Sequence, residues 1–147
     1  MFNSVSPVKI GDRLVGPGQP CFIVAEAGVN HDGSLEKAKR LVDVAVAAGA
    51  DCVKFQSFKT DKLLLPSLEK CEYQKVGDGT EGSYADMIRR LEISEQMHRE
   101  LFDYCTERGI MFLSTPFDND STDLLDRLGV LAFKIDSGNL NHPQHLE

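Results

Sequence analysis

Four short apolar runs recur along the chain, and each breaks into polar residues near its C-terminal end. The first, 21-CFIVAEAG-28, closes on Glu26 and leads into Asn30, His31, Asp32 and Gly33. The second, 52-CVKFQ-56, carries Lys54 and Gln56. The third, 110-IMFLSTP-116, ends on Ser114 and Thr115, and the fourth, 131-LAFKIDSGN-139, holds Lys134, Asp136 and Ser137. Runs of this length bounded by turn residues predict buried strands. Between them the apolar spacing changes to that of a helix. Leu35, Ala38, Leu41, Val42, Ala45 and Val46 form one stripe, with Ser34 as N-cap and Gly49 as stop. A second stripe, Met97, Leu101, Phe102 and Cys105, opens at Ser94 and Glu95 and stops at Gly109, with His98 on its polar face. A shorter helix over 119–129 is capped by the cluster from Asn119 to Ser121 and ended by Gly129.

The resulting order, β-α-β-α-β-α-β, predicts parallel βαβ units and an α/β fold. Residues 8–18 add a hairpin turning at Gly11 and Asp12, set over one end of the first strand. The chain therefore divides into an N-terminal extension, 1–19, and four β/α units, 20–147. Four such units fit the first half of a (β/α)8 TIM barrel, which needs about 250 residues. The alternative is an open four-stranded sheet whose edges must be paired or covered. In both arrangements a ligand sits beyond the carboxyl ends of the strands. The long connection over 58–82 has little periodicity, as functional loops often do.

Composition narrows the partners. With 147 residues, 41% hydrophobic and 27% charged, the chain is an ordinary folded domain, and its net charge of -7 argues against nucleic acid or an anionic membrane as main partner. An anionic small molecule would need local positive charge. No apolar run approaches about 18 residues and no signal peptide pattern opens the chain, so the cytoplasm is the expected location. Cys21, Cys52, Cys71 and Cys105 form no CxxC pair or metal spacing and are expected to be reduced and structural, Cys21 and Cys52 inside apolar strands.

Side chains alternate along a strand, so Lys54 and Gln56 share one face and oppose Val53 and Phe55, while Lys134 and Asp136 oppose Phe133 and Ile135. Both lysines then point away from the helices, where an unpaired ammonium is costly. A phosphate or carboxylate ligand would satisfy both; so would ion pairs with Glu26 or Asp136. Ser114, Thr115, Ser137 and Gly138 add hydroxyls and amides of the kind that hold phosphate oxygens. Glu26 suits a general base, an acceptor for substrate hydroxyls or a partner of Lys54. Asn30 and His31 either bind substrate or cap the following helix, the commoner role of such a pair. Tyr73 and Gln74, in the long connection, are a lid over the strand tips or a solvated loop. His142 and His145 around Pro143 make a poor metal signature.

Taken together, AEAGVNHDG, KFQSFKTDKL, LSTPFD and FKIDSGNL, in this order and spacing, resemble the N-terminal half of the sialic acid synthase family, the enzymes that make N-acetylneuraminate and related nonulosonic acids. IGDRLVG and EYQK add to the match, which runs over nearly the whole chain from Ile10. The resemblance implies the first half of a (β/α)8 barrel that an antifreeze-like domain follows, and a condensation of phosphoenolpyruvate with an N-acetylhexosamine. A divalent metal, typically Mn2+, activates the sugar aldehyde, carbon 3 of phosphoenolpyruvate attacks it, water adds to carbon 2, and phosphate leaves with C–O cleavage. By motif, Lys54, Thr115, Lys134 and Ser137 would hold phosphoenolpyruvate, Glu26 would lie beside the reacting carbons, and Asn30, His31 and Gln74 would face the sugar. Asp136 replaces the small residue usual there and sets a carboxylate near the phosphate. The family's metal-binding histidines belong to later strands, so no residue here is read as a metal ligand. The resemblance further implies a homodimer at full length and no turnover by the 147-residue chain alone. Two other readings stand beside it: another phosphoenolpyruvate aldol synthase, of the deoxy-sugar-acid type, and a non-catalytic half-barrel that dimerises through its edge strands.

Overall fold

The computed structural model describes residues 6–64 and 83–146. An antiparallel hairpin of β1 (Val8–Ile10) and β2 (Arg13–Val15) precedes a parallel sheet of β3 (Val24–Gly28), β4 (Cys52–Ser57) and β5 (Met111–Pro116), which lie side by side in chain order. Helix α1 (Leu35–Ala47) connects β3 to β4. The longer connection to β5 carries α2 (Thr60–Leu63), α3 (Tyr84–Arg89) and α4 (Glu95–Glu107), and α5 (Asn119–Leu128) and α6 (Pro143–Leu146) follow. Consecutive parallel strands with no reversal of order are what a closing barrel requires.

The helices begin where side chains satisfy their first amides. Ser34 accepts from the N–H of Lys37 and Ser94 from that of Met97. At α5 the cap is Asp118, one residue before the expected cluster: its carboxylate accepts the Ser121 N–H at 2.8 Å and the Ser121 hydroxyl at 3.0 Å. The core lies between the helices and one face of the sheet. Ala27, Val53, Phe55 and Phe112 from the strands meet Ala38, Val42 and Ala45 of α1, Met97, Leu101 and Cys105 of α4, and Leu125 of α5. Phe55 stacks on Phe112 at 5.8 Å, and Phe102 meets Phe112 edge-on at 6.0 Å. The hairpin is tied to the N-terminal end of the sheet through Asp51, which pairs with Arg13 at 2.5 Å and accepts the Ile23 N–H at 2.7 Å.

Three expectations are corrected. The fourth apolar run forms no strand: residues 131–136 have no sheet partner among the described residues, and Leu131 and Phe133 are exposed. A barrel strand is buried by a neighbour on each side and a helix over its outer face, and local sequence supplies none of these. His98 is buried at 1% exposure, on the same stripe as Leu101 and Cys105 and not on a polar face. Cys21 is exposed, whereas Cys52 and Cys105 are buried, their thiols pushed up by desolvation to about 11 and about 12.

Leu101 is fully buried at the centre of α4, so Leu101→Ala is expected to destabilise the fold by about 2–5 kcal/mol in urea unfolding, while Val44→Ala on the exposed side of α1 stays within about 0.5 kcal/mol.

Candidate active site at the strand tips

The face of the sheet opposite the helices carries the charged residues. Register sets Glu26 of β3 beside Lys54 of β4, and Gln56 of β4 beside Thr115 of β5. Lys54 is 8% exposed; its ammonium pairs with the Glu26 carboxylate and lies 3.5 Å from the Thr115 hydroxyl. Glu26 itself is half-exposed. An ammonium has three donors, and among the described residues these two groups are its partners. The result is a largely buried cation whose counter-ion reaches solvent.

Gly28 leaves room for this pair. It lies past a register shift in β3, in left-handed backbone with φ 53°, and a Cβ there would stand 3.2 Å from a Glu26 carboxylate oxygen and 3.7 Å from the Gln56 amide nitrogen. Sequence reasoning passed over Gly28; a glycine closing a strand that ends in Glu was the available signal. The loop beyond β4 is held down by carboxylates: Asp118 accepts the Lys59 N–H at 2.7 Å and Glu92 accepts the Thr60 N–H at 2.8 Å.

The other predicted site residues are placed differently. Asn30 is exposed at the rim and donates its side-chain amide to the Ala27 carbonyl at 3.0 Å. His31 has no exposed surface; Nδ1 accepts the Gly33 N–H at 3.0 Å and the ring tilts against Phe55 on the helix side of the sheet. That is the loop-capping alternative, and burial lowers the pKa of this ring. Ser114 also faces the helices, with its hydroxyl 2.7 Å from that of Ser57. Lys134 and Ser137 are exposed, and no contact joins them to Lys54 among the described residues. The Asp136 carboxylate accepts the Gly138 N–H at 2.8 Å and the Asn139 side-chain amide at 2.7 Å, closing its own turn and occupying the amide expected to serve a phosphate. Tyr73 and Gln74 lie outside the described residues. Beside the β5 tip, a polar cleft of about 290 Å³ is lined by Lys62, Asn119, Asn139, His142 and His145, with His145 Nδ1 3.0 Å from Asn119 Oδ1. Among the described residues no group of three or more His, Cys, Asp or Glu side chains is placed to hold a metal ion, so the residues present do not fit one. Nor, among them, is any helix long and apolar enough to cross a membrane.

A lysine within β4 thus stands beside a glutamate of β3 on the sheet face that, among the described residues, carries no helix. The sequence model of the NeuB family matches residues 41–147. The chain belongs to the NeuB family. The N,N'-diacetyllegionaminic acid synthase of Legionella pneumophila is 46% identical over 137 residues, covering 93% of this chain and 38% of that protein. The human N-acetylneuraminate-9-phosphate synthase is 40% identical over 136 residues, covering 92% and 37%. Among solved structures, the N-acetylneuraminic acid synthetase of Leptospira borgpetersenii in complex with citrate matches with a TM-score of 0.79 at 28% identity, over 96% of this chain and 45% of that one. The spore coat polysaccharide biosynthesis protein spsE of Bacillus subtilis matches with a TM-score of 0.71 at 37% identity, over 96% and 36%. The family resemblance read from four motifs and the α/β barrel architecture are thereby borne out. This NeuB-family chain spans less than half the length of these relatives.

Two buried histidines make stability depend on pH. Burial lowers the pKa of both His31 and His98 below the ordinary 6.5. The unfolded chain therefore takes up protons near pH 6.5 while the fold does not, so stability is full above that pH and falls as pH drops toward the folded values. Urea midpoints are expected to decline from pH 7 to pH 5, with a limiting slope of about 1.4 kcal/mol per pH unit for each proton. A flat profile would contradict the burial of both rings.

Proposed function

We propose that this chain supplies the phosphoenolpyruvate-holding half of a nonulosonic acid synthase, which joins phosphoenolpyruvate to an N-acetylhexosamine and releases phosphate. The observation that carries the reading is the buried Lys54 ammonium, held between Glu26 and Thr115 on the face of the parallel strands that the helices leave open. The names of the Legionella and human relatives, both synthases of nine-carbon sugar acids, support it.

In this reading the 1–19 hairpin closes the bottom of a barrel of which 20–147 supply the first four units, with 131–136 joining the sheet beside β5 in the complete enzyme. Lys134 and Ser137 then come alongside Lys54 and Thr115 to bind the phosphate and carboxylate of phosphoenolpyruvate. The arriving anion takes the Lys54 charge in place of Glu26. The freed carboxylate, half-exposed and next to the reacting carbons, accepts a hydrogen bond from the sugar or a proton from water. Carbon 3 of phosphoenolpyruvate bonds to the aldehyde carbon with the electrons of its double bond to carbon 2, and the aldehyde oxygen takes a proton; water bonds to carbon 2 and gives up one proton, and the bond from carbon 2 to the phosphate oxygen breaks, phosphate leaving with the electron pair and the second proton as carbon 2 becomes the ketone. Asn30 and Gln74 stand on the sugar side. His31 is left out of the sugar site, because it lies behind the sheet. A divalent metal, proposed as Mn2+ and held by residues outside this segment, would polarise the aldehyde when bound. The complete enzyme is proposed to be a cytoplasmic homodimer.

In a polypeptide that joins this segment to the remainder of a NeuB-family barrel, Lys54→Ala is expected to lower kcat/KM for phosphoenolpyruvate roughly 10- to 1000-fold, the loss of a charged contact worth about 1.5–4 kcal/mol. Phosphate release in the presence of an N-acetylhexosamine reads this directly. Unchanged kinetics would remove Lys54 from the site.

A further inference from the structure

On the helix side of the same strands, three buried polar side chains form one hydrogen-bonded group beside the apolar core. Ser57 and Ser114 have no exposed surface and His98 is 1% exposed. The buried core on this side of the sheet includes Phe55, Phe112, Met97 and Leu101. Ser57 Oγ lies 2.7 Å from His98 Nε2 and 2.7 Å from Ser114 Oγ, and His98 Nδ1 lies 2.9 Å from the Ser94 carbonyl.

The direction of every hydrogen bond in this chain follows from its last member. A carbonyl oxygen only accepts, so His98 Nδ1 must carry a proton and donate to Ser94. Burial keeps the ring neutral, which leaves Nε2 bare and able only to accept. Ser57 therefore donates to His98, and Ser114 donates to Ser57. The chain runs in one sense from β5, through β4, to the residue that caps α4. Small apolar side chains at positions 57 and 114 would fill the same layer without any polar group to satisfy, so cohesion alone does not call for this arrangement.

Its place in the sheet points to a role. Ser57 directly follows Gln56, and Ser114 directly precedes Thr115. The contact from Lys54 to Thr115, at 3.5 Å, is at the limit of a hydrogen bond, so a shift of a few tenths of an ångström between β4 and β5 breaks it. We propose that Ser114, Ser57 and His98 are positioning residues: their hydrogen-bond chain locks the C-terminal ends of β4 and β5 to the start of α4 and so sets where Lys54 and Thr115 stand on the opposite face of the sheet. The proposal rests on the reading of Lys54 as part of an anion site, but its geometry is tested without ligand.

The test uses residues 1–147, acetic anhydride as an amine probe, and peptide mass spectrometry to follow acetylation at Lys54. Amide exchange at Leu101 and Leu125 reports the integrity of the core. Ser57→Ala is expected to raise Lys54 acetylation roughly 5-fold or more while both amides stay protected, and Ser57→Thr, which restores a hydroxyl on a side chain suited to a strand, is expected to return it close to the starting rate. Nitrogen-15 spectra of the unsubstituted protein are expected to show His98 neutral with its proton on Nδ1. Unchanged acetylation in Ser57→Ala, acetylation that rises only in step with lost protection at Leu101 and Leu125, or a His98 proton on Nε2 would each overturn the proposal. Should Ser57→Ala fail to fold, Ser114→Ala is read by the same criteria. A separate arm adds phosphoenolpyruvate to the unsubstituted protein: failure to protect Lys54 overturns the anion reading, while the positioning claim is judged on the ligand-free result.

Discussion

An ammonium group folded into the inner face of a sheet is tolerable only where an anion meets it, and Lys54 imposes that condition on this fold. Glu26 meets the charge from one neighbouring strand and Thr115 adds a hydroxyl from the other. Both depend on the parallel register of β3, β4 and β5, which sets Glu26 level with Lys54 and Thr115 level with Gln56, two residues further along β4. The register in turn depends on the helix side, where Phe55, Phe112, Leu101 and Leu125 fill the core and permit no slip of one residue without turning Lys54 into it. Packing on one face thus holds the chemistry on the other.

The charge pair is only partly buried. Lys54 is largely buried, whereas Glu26 opens to solvent, and in the proposed anion site the arriving ligand would exchange with the carboxylate while the lysine stays in place. Gly28 contributes by keeping side-chain bulk away from Glu26. The hydroxyl and imidazole chain of Ser114, Ser57 and His98 braces the same strand tips from behind.

Local features were legible in the sequence and non-local ones were not. Helix α1 follows from the Ser34 cap and its apolar stripe, and strand alternation alone turns Lys54 away from the core. The failure of 131–136 to form a strand has a different origin, because pairing is supplied by other segments and the LAFKID run carries no record of them. His98 was misread because its residue type outweighed its spacing, although positions 98, 101 and 105 fall on one helical stripe. The roles of His31 and Asp136 were undecidable from sequence, since each can serve either a ligand or its own loop; here His31 accepts from Gly33 and Asp136 from Gly138.

The most direct test of the central claim, that Lys54 marks an anion site at the strand tips, is a titration of nitrogen-15-labelled residues 1–147 with phosphoenolpyruvate. The account predicts saturable shifts concentrated on the amides of Glu26, Lys54, Gln56 and Thr115, with an affinity of about 1 mM or tighter, equivalent to about -4 kcal/mol, and their loss in Lys54→Ala. Shifts scattered over the surface, or a pattern that survives Lys54→Ala unchanged, would contradict it.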